Sequence, residues 1–345
     1  MSLIRKTLCL FIAATILTAC LACCGDGGRS ASPPSSDDTV TVVDMAGREV
    51  KIPKKVESVA HLYSVTGYIL ALNKADKLSA FPPLNEFFRM AYPAFKNIGS
   101  VGRGGQVDME ALAKLNPDLF ICRATDAKNL SAVTELGIPA IGVSIETSEE
   151  IATMLTLLGK VLDAEDRAGE LIAYYDTVLD RVRNISGDVP PEKRKTAVFM
   201  GQRIASVANG SMLQSLMIET AGGVNPAKDV ISAETWPVVG AETIFKWDPD
   251  IIFITNYGNA GYTVESLTSD TTWANMSAVK ERRVYLMPAS MDSWEFPGTS
   301  WVLGSLWMLS VMYPDKLDWE QLDSQVREFY KKVYNLDVKP ELIGY

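Results

Sequence analysis

The only histidine of the 345-residue chain is His61, and Cys122 is the only cysteine after position 24. A bare transition-metal ion bound by protein needs several His, Cys or carboxylate ligands, so the sequence does not favour a dedicated metal cage. A lone histidine is more often a structural hydrogen-bonding group than a ligand. A metal carried by this chain is therefore expected to arrive inside a chelator. His61 or Tyr257 would fill an open coordination position at most.

Arginines and aromatic residues offer a different chemistry. Guanidinium groups pair with carboxylate or catecholate oxygens, and aromatic rings stack on planar ligands. Residues of these types lie beside short apolar segments, where the carboxyl ends of parallel strands place ligands in open α/β sheets. The residues expected to contact a ligand are His61, Tyr63, Arg103, Arg123, Gln202, Arg203, Trp236, Tyr257 and Trp294. Together they predict a site for a large, flat, anionic chelate.

The chain does not resemble an enzyme. It has no Gly-x-Ser-x-Gly elbow, phosphate-binding loop or His-Glu-x-x-His helix, and a single histidine provides little acid–base chemistry. No intrinsic cofactor is expected. The net charge of −9 also argues against nucleic acid as a partner, because phosphates repel an acidic protein.

Alternating strands and helices must position these residues. Short β-rich apolar segments alternate with helical patterns in both halves, which predicts mostly parallel sheets. The predicted strands are 56–60, 77–80, 118–122, 139–143, 196–200, 251–255 and 283–287. Residues 164–186 show one continuous apolar helical face and predict a rod of about 35 Å.

Two segments resemble each other within the chain. Residues 107–122 (VDMEALAKLNPDLFIC) and 239–254 (VGAETIFKWDPDIIFI) align without a gap and share five identical positions. Each has a glutamate at the start of a short helix, a Pro-Asp stop and an apolar strand. This repeat predicts two lobes of similar plan. The fold class is α/β, with two Rossmann-like lobes (39–163 and 188–345) bridged by a single long helix at 164–187.

The N-terminus has the features of a targeting segment. Residues 1–19 combine Arg5 and Lys6 with an apolar stretch too short to span a bilayer, and they are expected to be a signal peptide. Leu17-Thr18-Ala19-Cys20 resembles the lipobox of bacterial lipoproteins, which implies lipidation of Cys20, with Cys23 as the alternative. Residues 20–38 are expected to be a lipidated flexible tether. The body would then face the periplasm or the cell exterior.

The ordered motifs of residues 40–340 resemble the ABC-importer binding proteins for iron–siderophore, haem and cobalamin. The motifs are VTVVDMAGREVKIPKKVESVAHL, the two Glu–Pro-Asp segments, ELGIPAIGV, the bridging helix, ETAGGVN and AVKERRVYLMP. The resemblance implies that Glu110 and Glu242 dock into the membrane permease, which works with an ATPase. It also implies capture of a metal chelate in the cleft between the lobes.

The resemblance leaves the cargo open. The arginines and tyrosines favour a ferric siderophore, and cobalamin, haem and a nickel or other metallophore are the alternatives. Metal chelatases share a similar two-lobed plan, so the fold alone does not exclude such an enzyme. Because tetrapyrrole synthesis is a cytoplasmic task, the lipobox argues against that reading.

Overall fold

The computed structural model describes residues 38–83, 86–103, 105–258 and 260–339. The predicted signal peptide, Cys20 and nearly all of the tether lie outside these residues. The strands of the first half are β1 Thr39–Val43, β2 Glu49–Pro53, β3 Val59–His61, β4 Leu78–Ala80, β5 Gly102–Arg103, β6 Gln106–Val107, β7 Leu119–Arg123 and β8 Ala140–Val143. Its helices are α1 Thr66–Ala71, α2 Glu86–Ala91, α3 Met109–Leu115, α4 Ala127–Glu135 and α5 Ser148–Val161.

The second half continues the alternation. Helix α6, Glu165–Gly187, connects the two halves. The remaining strands are β9 Ala197–Met200, β10 Ile251–Ile254 and β11 Val284–Leu286. The remaining helices are α7 Leu213–Thr220, α8 Ala241–Trp247, α9 Val264–Ser269, α10 Ser277–Lys280, α11 Trp301–Met312 and α12 Trp319–Tyr334.

Each half contains a parallel sheet. The first has the strand order β4-β3-β7-β8 and the second β11-β10-β9, and every pair within these two sheets is parallel. Every residue of β8, β9 and β10 is buried, as expected for strands covered by helices on both faces. The predicted α/β fold with two lobes and a bridging helix is confirmed. The exact domain boundaries remain predictions.

The internal repeat has a structural basis. Asp118 Oδ2 accepts the backbone N–H of Ser58 at 2.9 Å, and the Asp118 N–H donates to Ser58 Oγ at 2.9 Å. In the other lobe, Asp250 Oδ2 accepts the Thr196 N–H at 2.8 Å, and the Asp250 N–H donates to Thr196 Oγ1 at 3.0 Å. Each aspartate therefore joins the start of the central strand of its sheet to the segment that leads into the neighbouring strand.

These bonds also explain a boundary that differs from the sequence prediction. The strand predicted at 56–60 is observed as β3, Val59–His61. The N–H groups of Glu57 and Ser58 donate to the Asp118 carboxylate rather than to a neighbouring strand. The ladder therefore starts only at Val59.

The long helix α6 packs against both halves. It contacts α5 on the N-terminal side and α7 and α11 on the C-terminal side, and at 23 residues it is about 35 Å long. Its buried face is Ala168, Leu171, Tyr175, Val178, Leu179, Val182 and Ser186. One hydrophobic core contains residues of α6 and of both lobes. The two lobes are therefore joined at their base by a continuous core.

Further contacts between the halves lie beside this core. The Tyr68 hydroxyl of α1 donates to the carbonyl of Gly298 at 2.8 Å. The rings of Phe87 and Tyr330 are 5.5 Å apart between centroids, and those of Phe88 and Tyr334 are 5.3 Å apart. Among the described residues, no helix combines the length and the apolarity needed to cross a membrane.

The contact between α5 and α6 makes a testable prediction from two glycines. A Cβ on Gly159 would lie 2.7 Å from Ala168 Cβ, whereas a Cβ on Gly169 would have no neighbour within 4 Å. Gly169→Ala is therefore expected to stabilise the protein by up to about 1 kcal/mol through helix propensity. Gly159→Ala is expected to destabilise it by about 1–3 kcal/mol, because the helices must separate. Urea unfolding measures both, and equal stabilisation by the two changes would contradict this packing.

Candidate ligand-binding cleft

A cleft between the lobes contains two adjoining cavities. The first has a volume of about 830 Å³ and the second about 700 Å³. Tyr63, Arg123, Tyr257 and Phe296 line both cavities. Since two of these residues come from each lobe, the cavities are parts of one inter-lobe cleft, and these four residues lie at its middle.

The N-terminal lobe provides two arginines and a tyrosine. Arg103, at the end of β5, lines the first cavity. Arg123, the last residue of β7, lies where the strand reaches the cleft. Tyr63 follows β3 at the same edge of the sheet. Three of the four predicted contacts of this lobe therefore come together in the cleft, and His61 is the exception.

Arg123 is held between a ring and a carboxylate. Its guanidinium carbon lies 4.9 Å from the centroid of the Tyr63 ring, and its Nη2 lies 3.8 Å from Glu146 Oε1. The Tyr63 hydroxyl donates to the same Glu146 oxygen at 3.3 Å. Burial raises the pKa of Tyr63 above its usual range, so this phenol is neutral. About half of the Arg123 side chain (51%) remains exposed and can meet an anion in the cleft.

The C-terminal lobe provides Gln202, Arg203 and Trp236, all lining the second cavity. Arg203 Nη2 lies 3.0 Å from Glu234 Oε2, and both side chains are exposed. The Trp236 ring is half-buried and packs against Phe199 with centroids 6.0 Å apart. A Cβ at position 201 would lie 2.6 Å from this ring, so the glycine lets the indole lie close to the strand end.

Tyr257 belongs to the same lobe and follows β10. The residue is 49% exposed, and its ring stacks on Phe296 with centroids 4.2 Å apart. Its carbonyl accepts a hydrogen bond from Gln202 Nε2 at 3.1 Å. Its N–H donates to Glu295 Oε1 at 2.7 Å. The tyrosine is thus fixed at the backbone while its ring faces the cleft.

Two residues predicted to contact the ligand do not line the cleft, and these predictions are wrong. His61 is completely buried, and its Nε2 forms a 2.9 Å hydrogen bond with Thr66 Oγ1. Burial lowers the pKa of His61 to about 3, so the ring is neutral. Trp294 is 1% exposed, and its indole N–H donates to the Tyr330 hydroxyl at 3.3 Å in the core. Neither can reach cargo in the cleft, which also removes His61 as a candidate metal ligand.

The sequence reasoning missed Phe296 and Glu295 as site residues. Both belong to the segment 291–296, which lies between β11 and α11. This segment is neither helix nor strand, so no periodicity indicates which side chains face the ligand. Trp294 was predicted to contact the ligand because its side chain is the largest of the segment. In the structure, Phe296 lines the cleft and Glu295 accepts a hydrogen bond from the Tyr257 N–H.

Glu295 makes stability depend on pH. Burial raises the pKa of Glu295 from its usual value of 4.5 to about 7, against the opposing effect of its hydrogen bonds. A carboxyl with a raised pKa contributes stability that is complete below pH 4.5 and is lost as pH rises to about 7. Relative to Glu295→Gln, the wild-type protein is therefore expected to lose about 3 kcal/mol of unfolding free energy across this range.

Urea unfolding at pH 4.5, 6 and 8 measures this difference. The exposed Glu265→Gln variant is the matched control, and its unfolding free energy should stay within about 1 kcal/mol of the wild-type value at every pH, the size of a helix-dipole interaction. The alternative result is that the wild type and Glu295→Gln differ in unfolding free energy by the same amount from pH 4.5 to 8. That result would contradict a raised pKa for Glu295.

Glu110 and Glu242 occupy equivalent places in the two lobes. They are exposed and lie in the first turns of α3 and α8, the helices that lead into β7 and β10. Such helices run antiparallel to the strands they precede, so both glutamates lie near the carboxyl edges of the sheets. Neither forms an ion pair within the described parts of the chain. Both carboxylates are therefore free to meet a partner.

No group of three or more His, Cys, Asp or Glu side chains among the described residues could hold a metal ion. The cleft itself offers guanidinium, phenol, indole and amide groups. These groups suit an anionic ligand with flat surfaces.

Comparison with known proteins agrees with this arrangement. The model of the periplasmic binding protein family matches residues 59–291. The molybdate-binding protein MolA of Haemophilus influenzae is 25% identical over 88% of this chain and 91% of its own length. The Fe(3+)-citrate-binding protein YfmC of Bacillus subtilis is 28% identical over 56% of this chain and 60% of its own. A periplasmic solute-binding protein from Veillonella parvula has a similar structure, with 27% identity, a TM-score of 0.75 and coverage of 88% and 95% of the two chains.

Proposed function

Because this chain belongs to the periplasmic binding protein family, the solute-binding components of ABC importers, we propose that it captures an anionic metal chelate and delivers it to a membrane permease. Members of this family bind and deliver solutes and are not enzymes. The cargo binds in the cleft between the lobes. The permease and its ATPase then move it across the membrane.

One observation carries the proposal: Arg103, Arg123 and Arg203 all line the same cleft, from both lobes. An Arg guanidinium presents a planar fork that matches carboxylate geometry and stays charged at any physiological pH. Tyr257 and Trp236 add ring faces for planar parts of the ligand. A ferric siderophore or a related ferric carboxylate chelate provides both features, and the YfmC relative is named for ferric citrate.

The size of the cleft supports a chelate over a bare ion. Cavities of about 830 and 700 Å³ lie within the range of about 300–1,000 Å³ that holds small organic ligands. A metal would arrive wrapped, since no cluster of metal ligands is found among the described residues. Tyr257 is the one predicted metal contact that remains in the cleft.

A small oxyanion is the second candidate. The MolA relative, named for molybdate, matches this chain over a larger share of its length than YfmC does. Arg123 and Arg203 could bind such an ion by charge-assisted hydrogen bonds. A tetrahedral oxyanion would occupy only a small part of either cavity, and for this reason the chelate is preferred.

A binding screen decides between these cargoes. Tryptophan fluorescence and thermal shift of residues 39–345 would be measured with ferric catecholate, ferric hydroxamate, ferric citrate, molybdate, cobalamin, haem and nickel–histidine. Saturable binding of a ferric chelate is expected, with a rise in Tm that grows with ligand concentration. A response to molybdate, cobalamin or haem without any response to ferric chelates would contradict the proposed cargo.

We also propose that Cys20 carries the lipid that holds the protein at the membrane, with residues 20–38 as the tether. This proposal rests on Leu17-Thr18-Ala19-Cys20. Cys20→Ser is expected to move the protein from the membrane fraction to the soluble fraction, whereas Cys23→Ser should leave it at the membrane. The opposite pattern would assign the lipid to Cys23.

A further inference from the structure

Glu295 is a buried acid that no proposed ligand contact uses. Its side chain is 1% exposed, although its segment lines the second cavity. Glu295 Oε1 accepts three hydrogen bonds, from Thr255 Oγ1 at 2.9 Å, from Asn256 N at 2.6 Å and from Tyr257 N at 2.7 Å. One carboxyl oxygen is therefore hydrogen-bonded to all three residues of the turn 255–257 that follows β10.

The same segment also fixes the ring of Tyr257. Phe296, the next residue, stacks on that ring with centroids 4.2 Å apart. The Glu295 carbonyl accepts a hydrogen bond from Gln214 Nε2 at 2.9 Å, which joins the segment to α7. Residues 295 and 296 thus hold both the backbone and the side chain of Tyr257.

Tyr257 is a residue whose placement matters to the cargo, because its half-exposed ring lines both cavities. Removing the Glu295 side chain would leave the Asn256 N–H without an acceptor, and the Tyr257 N–H with only its longer 3.2 Å bond to Thr255 Oγ1. Unpaired buried donors are costly, so the turn would rearrange until they found other partners. Its rearrangement would displace the ring.

We propose that Glu295 is a positioning residue for cargo binding, which holds the Thr255–Tyr257 turn so that the Tyr257 ring faces the ligand. This inference rests on the proposed function, because it requires the cargo to contact Tyr257. Glu295 acts as a hydrogen-bond acceptor and does not touch the cargo itself. Its Oε2 is buried and has no hydrogen-bond partner among the residues that the structure describes, so the three bonds are made by Oε1.

Position 295 needs a hydrogen-bond acceptor rather than a charge, so a glutamine there is expected to position Tyr257 as the glutamate does. Affinity for the ferric chelate would be measured by isothermal titration for wild type, Glu295→Ala, Glu295→Gln, Tyr257→Ala and the Glu295→Ala/Tyr257→Ala double variant. Glu295→Ala is expected to weaken binding about tenfold, a loss of about 1.4 kcal/mol. Glu295→Gln should restore most of that loss.

The double variant separates positioning from general damage. If Glu295 acts through Tyr257, Glu295→Ala causes no further loss of affinity in a protein that already carries Tyr257→Ala. The two losses of affinity are then not additive. A loss of affinity on Glu295→Ala that is as large in the Tyr257→Ala background as in the wild type would overturn the proposal. An unchanged affinity of Glu295→Ala would overturn it as well.

Hydrogen exchange tests the turn without any cargo. The amides of Asn256 and Tyr257 are expected to exchange at least about tenfold faster in Glu295→Ala than in wild type, and to stay slow in Glu295→Gln. The Val207 amide, which donates to the Pro237 carbonyl at 2.9 Å in the same lobe, is the internal control. Equal rates at Asn256 and Tyr257 in wild type and Glu295→Ala would overturn the proposal.

The two measurements also separate this inference from the proposed function. If no ferric chelate binds the wild-type protein, the proposed function fails, and the exchange rates then decide whether Glu295 holds the turn. If exchange accelerates in Glu295→Ala while affinity stays unchanged, Glu295 holds the turn without serving the cargo, and the proposal is overturned.

Discussion

Reversing the charge of Glu110 and Glu242 together is expected to abolish transport of the cargo while leaving its affinity for the purified protein unchanged. The two carboxylates are exposed in the first turns of equivalent helices, one on each lobe. We propose that they dock against arginines of the membrane permease, as the family resemblance implies. Losing such a charge pair costs about 2 kcal/mol or more at each site, and the substituted lysines would add repulsion. Uptake of the labelled chelate by cells or proteoliposomes containing the permease measures the effect.

A matched double variant controls for the helix termini. Glu149 and Glu265 are also exposed glutamates in the first turns of helices, α5 in the N-terminal lobe and α9 in the C-terminal lobe. Reversing them removes the same favourable interaction with the helix dipole, about 0.3–1 kcal/mol each. Uptake by the Glu149→Lys/Glu265→Lys variant should remain normal. Equal uptake by the two double variants would exclude Glu110 and Glu242 from docking.

Replacing Arg123 by alanine is expected to weaken cargo binding about 10- to 100-fold, because a charge-assisted hydrogen bond contributes about 1.5–3 kcal/mol. Arg123 is the arginine that lines both cavities, so it can contact the ligand at the middle of the cleft. Arg123→Lys should retain only part of the affinity, since an ammonium group cannot pair bidentately with a carboxylate. Isothermal titration with the ferric chelate measures both variants.

Arg181 provides the control for this change. Its Nη1 lies 3.9 Å from Glu328 Oε2, much as Arg123 lies 3.8 Å from Glu146, and it is likewise partly exposed. It belongs to α6 and lies outside both cavities. Arg181→Ala should therefore bind the cargo as the wild type does. If both alanine variants bound it with wild-type affinity, Arg123 would have no part in recognition.

Local patterns were sufficient to predict most of the fold. The repeat of Glu110 to Asp118 at Glu242 to Asp250 indicated two similar lobes, because each aspartate performs the same local task at a strand junction. The buried face of α6 was predicted from a helical period in residues 164–186, and the structure confirms such a face. Helical periodicity and the hydrogen bonds of the strand-junction aspartates depend on local sequence patterns, so both features could be predicted from the sequence.

The cleft could be predicted only in part. Tyr63, Arg123 and Tyr257 were found because they follow strands, and the carboxyl ends of parallel strands share one edge. His61 is the last residue of β3, a strand buried on both faces, so no alternation of polar and apolar residues marks its inward direction.

The roles of Trp294 and Glu295 depend on partners far away in the sequence. Trp294 contacts Tyr330, 36 positions later, and Glu295 binds the turn at 255–257, about 40 positions earlier. The order of residues does not reveal such contacts.

The central claim is that the cargo binds between the lobes, beside the three arginines. Anomalous scattering from crystals of the protein grown with its ferric chelate measures the position of the metal directly. The iron peak is expected in the inter-lobe cleft, with ligand density reaching Arg103, Arg123 and Arg203. A metal peak outside the cleft, with these three side chains still facing solvent, would contradict the claim.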